Sequence, residues 1–169
     1  MSCKKFLCIV ISCVLVLFGA ASSGYAASWY VTNDGGSLKY YRDSSNTYSQ
    51  SKWSSVTSNA GSFTIEDLFN IDTNTALSAD DNFYFKAGTY KMNSGIKIDT
   101  SVNIYGGFSG NASAAVSRDI ANNETIFDGD SGLSLYRVFY ITTDATIDGL
   151  TIQNGLATYT NYAYNGGGV

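Results

Sequence analysis

The sequence predicts an all-β chain wound as a single-stranded parallel solenoid, and three observations predict it. From Asp80 onward, short apolar triplets alternate with Gly, Asn and Asp, as in Phe83-Tyr84-Phe85, Ile96-Lys97-Ile98 and Thr125-Ile126-Phe127. Tyr84, Ile104, Ile126 and Ile147 recur at intervals of about 20 to 22 residues, within the period that marks solenoid architectures. The strands between the corners are about three to five residues long, whereas a sandwich or barrel favours strands of about five or six with hairpin signals. Such brief strands suit a chain coiling round a triangular prism. Inward Ile, Val, Leu and Phe would line up along its axis as the core.

Before the repeats, the chain opens with Lys4 and Lys5, then an uncharged, mostly apolar run from Phe6 to Phe18, then small residues to Ala27. That layout reads as a secretory signal peptide over residues 1–26, cleaved after Ala26. The apolar run is shorter than the roughly 20 residues a membrane span needs, so no transmembrane segment is expected after cleavage. Residues 27–79 read as an N-terminal strand, a polar loop and a capping helix. Residues 80–169 read as the first coils.

Composition narrows the chemistry. All three cysteines, Cys3, Cys8 and Cys13, lie in the leader, which leaves no disulfide or thiolate metal site beyond it. Histidine is absent, which excludes a Ser-His-Asp triad and a histidine-ligated metal within this chain. Without Lys4 and Lys5, eight basic and fourteen acidic residues remain, a net charge of about −6 with no basic cluster, so nucleic acid is not an expected partner. Abundant Asn, Ser, Thr, Gly and Tyr, with no Pro, suit a β-rich protein with many tight turns.

Ser28 to Thr32 reads as the first strand, closed by the turn Asn33-Asp34-Gly35-Gly36. Leu38 to Ser62 is polar and irregular and reads as a loop, anchored to the core by Trp53. Thr64 followed by Glu66 and Asp67 is a helix start, with a cap and negative charge in the first turn. Ile65, Leu68 and Phe69 fall on one face of that short helix, which would cover the N-terminal end of the stack. At the other end, Asn165-Gly166-Gly167-Gly168-Val169 looks like a corner entering a new strand. The expected solenoid is therefore C-terminally incomplete, a fragment with more of it beyond Val169.

The pieces Lys86-Ala87-Gly88-Thr89-Tyr90, Val102-Asn103-Ile104-Tyr105-Gly106-Gly107-Phe108-Ser109-Gly110, Arg118-Asp119-Ile120 and Asn123 to Asp130 share a texture with Ala145 to Gly155 and the closing Asn165 to Val169. In order and spacing they resemble the N-terminal coils of bacterial right-handed parallel β-helix surface proteins. These are pectate-lyase-like in fold and overlap with the polymorphic outer-membrane-protein and adhesin class. The resemblance covers about half the chain. It implies a right-handed parallel β-helix that is secreted or displayed at the bacterial cell surface or outer membrane. It implies little about activity, because that fold hosts lyases, hydrolases and adhesins alike.

Asp128, Asp130 and Asp148, with Asp144, are the acidic group of interest. Asp148 follows Asp128 by about one repeat, so the two carboxylates would stack on adjacent coils and offer Ca²⁺ the oxygen ligands it prefers. Asp before Gly is also ordinary turn chemistry, which requires no metal. Arg118 and Arg137 match the base of no lyase residue by residue, and Arg118 reads as a salt-bridge or loop clasp. Asn103, Asn123 and Asn154 read as parts of an asparagine ladder between coils. Tyr40, Tyr41, Trp53, Tyr159, Tyr162 and Tyr164, with Tyr48, lie in polar segments. Their rings are candidates for stacking on a glycan or docking a host or neighbouring cell-surface protein.

The functional expectation is a binding, adhesion or structural module with no catalytic residue and no required cofactor in this segment. The alternative is the non-catalytic start of a polysaccharide lyase or glycoside hydrolase.

Overall fold

The structure is a computed structural model, and it describes residues 25–34, 37–58, 64–69, 77–129 and 137–155. The leader read over residues 1–26 lies almost wholly outside the described residues, as do all three cysteines and the closing segment 156–169.

Among the described residues, eleven strands fall into three sheets. The first runs in the order β10-β7-β4-β1-β2-β3, from Ala145–Asp148, Val102–Phe108, Asp81–Lys86, Ser28–Asp34, Ser37–Asp43 and Thr57–Ser58. The second is β11-β8-β5, from Thr151–Gln153, Thr125–Asp128 and Gly88–Lys91, and the third pairs β6 (Ile96–Ile98) with β9 (Phe139–Ile141).

The first sheet is mixed. β1 pairs with β4 in parallel, as β4 does with β7 and β7 with β10, but β2 is antiparallel to β1 and β3 antiparallel to β2. These antiparallel pairings correct the expected single-stranded parallel solenoid: the described chain is a mostly-β domain of three separate sheets. The physical cause lies in the segment after Asn33. Strand β2 folds back on β1 so that Tyr30 faces Tyr41 and Val31 faces Tyr40. The aromatic and β-branched residues of both strands favour that pairing. The stretch read as a loop from Leu38 to Ser62 therefore holds β2, a 3₁₀ turn over Gln50–Ser55 and β3.

Alternation along each strand sends one face inward. In the first sheet Trp29 lies beside Phe83, Phe83 beside Ile104, and Ile104 beside Ile147. The second sheet contributes Tyr90 beside Phe127 and Phe127 beside Ile152, and the third Ile96 beside Phe139. All three inner faces enter one core cluster. The Trp29 and Phe83 rings stack at 5.5 Å, and Phe127 lies 5.0 Å from Phe85, 5.6 Å from Tyr90 and 5.5 Å from Phe139. One aromatic ring thus meets all three sheets.

Helix α1 (Ile65–Phe69) closes against this core with Ile65, Leu68 and Phe69, and Phe69 lies 4.8 Å from Phe83. Its start is fixed reciprocally. The Asp67 carboxylate accepts the Thr64 amide at 2.7 Å, and the Thr64 hydroxyl oxygen accepts the Asp67 amide at 3.3 Å. Both groups answer amide donors that the first turn leaves without partners.

A second cluster covers the outer face of the first sheet. Tyr30, Tyr84 and Tyr105 occupy successive strands in register, and Trp53, Tyr48 and Phe108 pack over them. Arg118 ends the row, with its guanidinium 5.6 Å from the Tyr105 ring and its Nη2 donating to Asp148 Oδ2 at 2.8 Å. Its Nε also donates to the Gly106 carbonyl at 2.8 Å, which ties the 109–124 connection across the sheet.

Candidate binding pocket

A cavity of about 430 Å³ lies where β5, the paired ends of β1 and β2 and the start of α1 converge, lined by Asn33, Leu38, Thr64, Ile65, Thr89, Tyr90, Lys91 and Asn93. Its size falls within the range usual for small-ligand sites. Three local features shape it. The Asn33 side-chain amide donates to the Thr89 carbonyl at 2.6 Å and so fastens the first hairpin to β5. Tyr90 is buried, and its hydroxyl lies 2.8 Å from the Lys86 carbonyl and 3.2 Å from that of Val31. Glu66 holds the turn after β5, where its Oε1 accepts the amides of Asn93 and Ser94, the latter at 2.8 Å. Glu66 Oε2 is buried with no hydrogen-bond partner among the described residues, and Glu66 is not one of the residues lining the cavity.

The lining therefore combines apolar surface from Leu38, Ile65 and Tyr90 with hydroxyls, amides and one ammonium. That mixture can hold a ring with an apolar face and polar edges through contact and hydrogen bonds together.

The residues expected to bind from sequence lie elsewhere. Trp53 is 5% exposed; its ring meets Tyr30 at 5.2 Å and its Nε1 donates to the Tyr48 hydroxyl at 3.2 Å, so its face is already used. Tyr40 is half-buried against Trp29 at 5.5 Å. Tyr41 is half-buried too, with the Lys52 ammonium 5.7 Å from its ring centre. Tyr159, Tyr162 and Tyr164 lie outside the described residues. Among the described residues the exposed aromatic rings are Tyr25, ahead of β1, and Tyr140, half exposed on β9 with Arg137 5.5 Å over it.

Among the described residues, the acidic group does not assemble. Asp128 on β8 aligns with Lys91 and Gln153 in the second sheet, whereas Asp148 on β10 aligns with Tyr105 in the first. The expected stacking of these two carboxylates is thus corrected, because consecutive strands of the chain belong to different sheets. Asp128 accepts from Gln153 Nε2 at 3.1 Å and Asn154 Nδ2 at 2.9 Å, and Asp148 pairs with Arg118. Asp130 lies outside the described residues. No group of three or more Asp, Glu, His or Cys that could hold a metal occurs among the described residues. The three asparagines do not form one ladder either: the Asn103 amide donates to Asn82 Oδ1 at 3.1 Å, Asn123 reaches the Gly107 carbonyl and Asn154 reaches Asp128.

The pocket residues carried only weak signals in the sequence. Asn33 was legible as a turn residue and Thr64 as a cap. Lys91 and Asn93 flank a buried Met92 at the end of β5, and no spacing rule links them to a hairpin more than fifty residues earlier.

Burial of the tyrosine row has a measurable consequence. Tyr30 is fully buried, its hydroxyl oxygen accepts the Ser49 amide at 2.7 Å, and burial pushes its pKa up to about 12. Burial raises Tyr84 and Tyr90 as well. A folded-state pKa above the unfolded value means that the stability is fully present below the unfolded pKa of 10 and is lost as pH rises through about 12. Chemical denaturation across that range is expected to show falling stability. Tyr30→Phe should flatten the first part of the fall while costing about 1 kcal/mol at neutral pH for the lost acceptor. An unchanged alkaline profile in the variant would assign the titration to other groups.

No family model, no curated protein and no solved structure matches the chain. The resemblance to right-handed β-helix surface proteins is accordingly withdrawn, contradicted by the mixed sheet and without support from any known protein. With it go the pectate-lyase-like assignment and the attributions to the outer membrane and to adhesins that rested on it. The signal-peptide reading has no support from the structure or from these comparisons either.

Proposed function

We propose that the chain is a non-catalytic binding module whose cavity between β5, the first hairpin and α1 takes a small hydroxylated ligand of the mono- or disaccharide class. One observation carries this reading. The cavity of about 430 Å³ sets the apolar surfaces of Leu38, Ile65 and Tyr90 against the polar groups of Asn33, Thr64, Thr89 and Asn93. A sugar presents the same division, with C–H faces and hydroxyl edges, and buried hydroxyls need partners.

The test is a titration of the protein against a panel of neutral and acidic mono- and disaccharides, read by NMR shifts of the residues around the cavity. Asn93 is exposed and lines the cavity, and only its backbone amide holds Glu66. Asn93→Trp should therefore fill the space and weaken binding at least about tenfold, while stability changes by about 0.5 kcal/mol or less, as for other surface changes. Binding that survives Asn93→Trp unchanged, or no binding across the panel by any sugar, neutral or acidic, would defeat the proposal.

A further inference from the structure

Among the described residues, Lys91 is the only charged one in the cavity lining. Of the described lysines, Lys52, Lys86 and Lys97 are each paired with an aspartate, at 3.0, 2.7 and 2.8 Å. Lys91 has no such partner among the described residues, although two carboxylates are near in the fold. Asp128 is its in-register neighbour on β8, but that carboxylate accepts from Gln153 and Asn154. Glu66 contacts Asn93 through its backbone, uses one oxygen on two amides and has the other buried away from solvent. A cation on the wall of a polar cavity, with no ion-pair partner among the described residues, is a ready donor to an anion.

We infer that the pocket selects a small hydroxylated anion, a sugar acid or a sugar phosphate, whose charged group is received by Lys91. This rests on the binding reading above and narrows its ligand class. The hydroxyls would meet Thr89 and Asn93, while the carboxylate or phosphate accepts from the ammonium. The pairing is partly open to water, so the expected gain is that of a charged hydrogen bond reduced by screening, about five- to tenfold in affinity.

The experiment compares glucose, glucuronate and glucose 6-phosphate on the intact chain by calorimetry at low salt. Both anions, or one of them, should bind about five- to tenfold more tightly than glucose, and whichever binds more tightly identifies a carboxylate or a phosphate as the charged group. Lys91→Met, at an exposed position, should bring glucose and both anions to the same affinity while the melting temperature stays as it was. Raising the salt should erase it too. Equal affinity for glucose and both anions, or an advantage that survives Lys91→Met, overturns the inference and leaves the binding module standing. Failure of all three sugars to bind overturns this inference, and with an equally silent neutral panel it overturns the module as well.

Discussion

Replacing Asp81 with Ala should destabilise the protein by about 3 kcal/mol or more, because three buried donors lose one acceptor group. Asp81 is fully buried at the start of β4. Its Oδ1 accepts the Ala27 amide at 2.6 Å, and its Oδ2 accepts Trp29 Nε1 at 3.0 Å and the Ser78 amide at 3.2 Å. One carboxylate therefore fastens the entry to β1, the largest side chain of the core and the approach to β4. Asp81→Asn keeps one acceptor oxygen and turns an N–H toward donors, so it should fall between wild type and Asp81→Ala. Urea denaturation at neutral pH measures both. A loss below about 1 kcal/mol for Asp81→Ala would mean that water replaces the carboxylate, and that the start of β1 is not held as described.

Phe127→Ala should cost about 3 to 5 kcal/mol, the range for removing a fully buried phenylalanine ring. The ring is inaccessible to solvent and touches Phe85 of the first sheet, Tyr90 of the second and Phe139 of the third. Its removal opens a cavity that no single sheet can close without moving against the other two. The melting temperature should fall by more than about 10 °C, and far-ultraviolet signal and near-ultraviolet aromatic signal should be lost together. Phe127→Leu retains much of the volume and should recover most of the loss. If Phe127→Ala left the near-ultraviolet signal and the midpoint intact, the three sheets would not share one core.

Several parts of the fold were readable from local chemistry. Phe83-Tyr84-Phe85, Val102 to Tyr105 and Thr125 to Phe127 lie in strands because β-branched and aromatic residues are concentrated there. Thr64 and Asp67 cap α1 through short-range bonds that their spacing alone permits. The partner and direction of β2 were not readable. A backbone edge offers the same amides and carbonyls to a parallel or an antiparallel neighbour, so the polar, tyrosine-rich stretch after Asn33 gave no sign that it would add to β1. Trp53 illustrates the same limit on the scale of one side chain. The sequence allowed it to anchor its loop in the core or to offer a ring for binding, and the 3₁₀ turn lays it on Tyr30 and Phe108 as an anchor.

Local chemistry was enough to place several strand segments, to cap the short helix, and to exclude histidine chemistry from this chain. These follow from clustered β-branched and aromatic residues, from hydrogen bonds spanning three residues, and from composition. The tertiary structure alone decided which strands pair and in which direction. It placed Asp128 and Asp148 in different sheets, and it brought Asn33, Ile65 and Lys91 to one cavity. Those outcomes depend on contacts between residues far apart in the chain, where burial of a shared apolar face outweighs local preference.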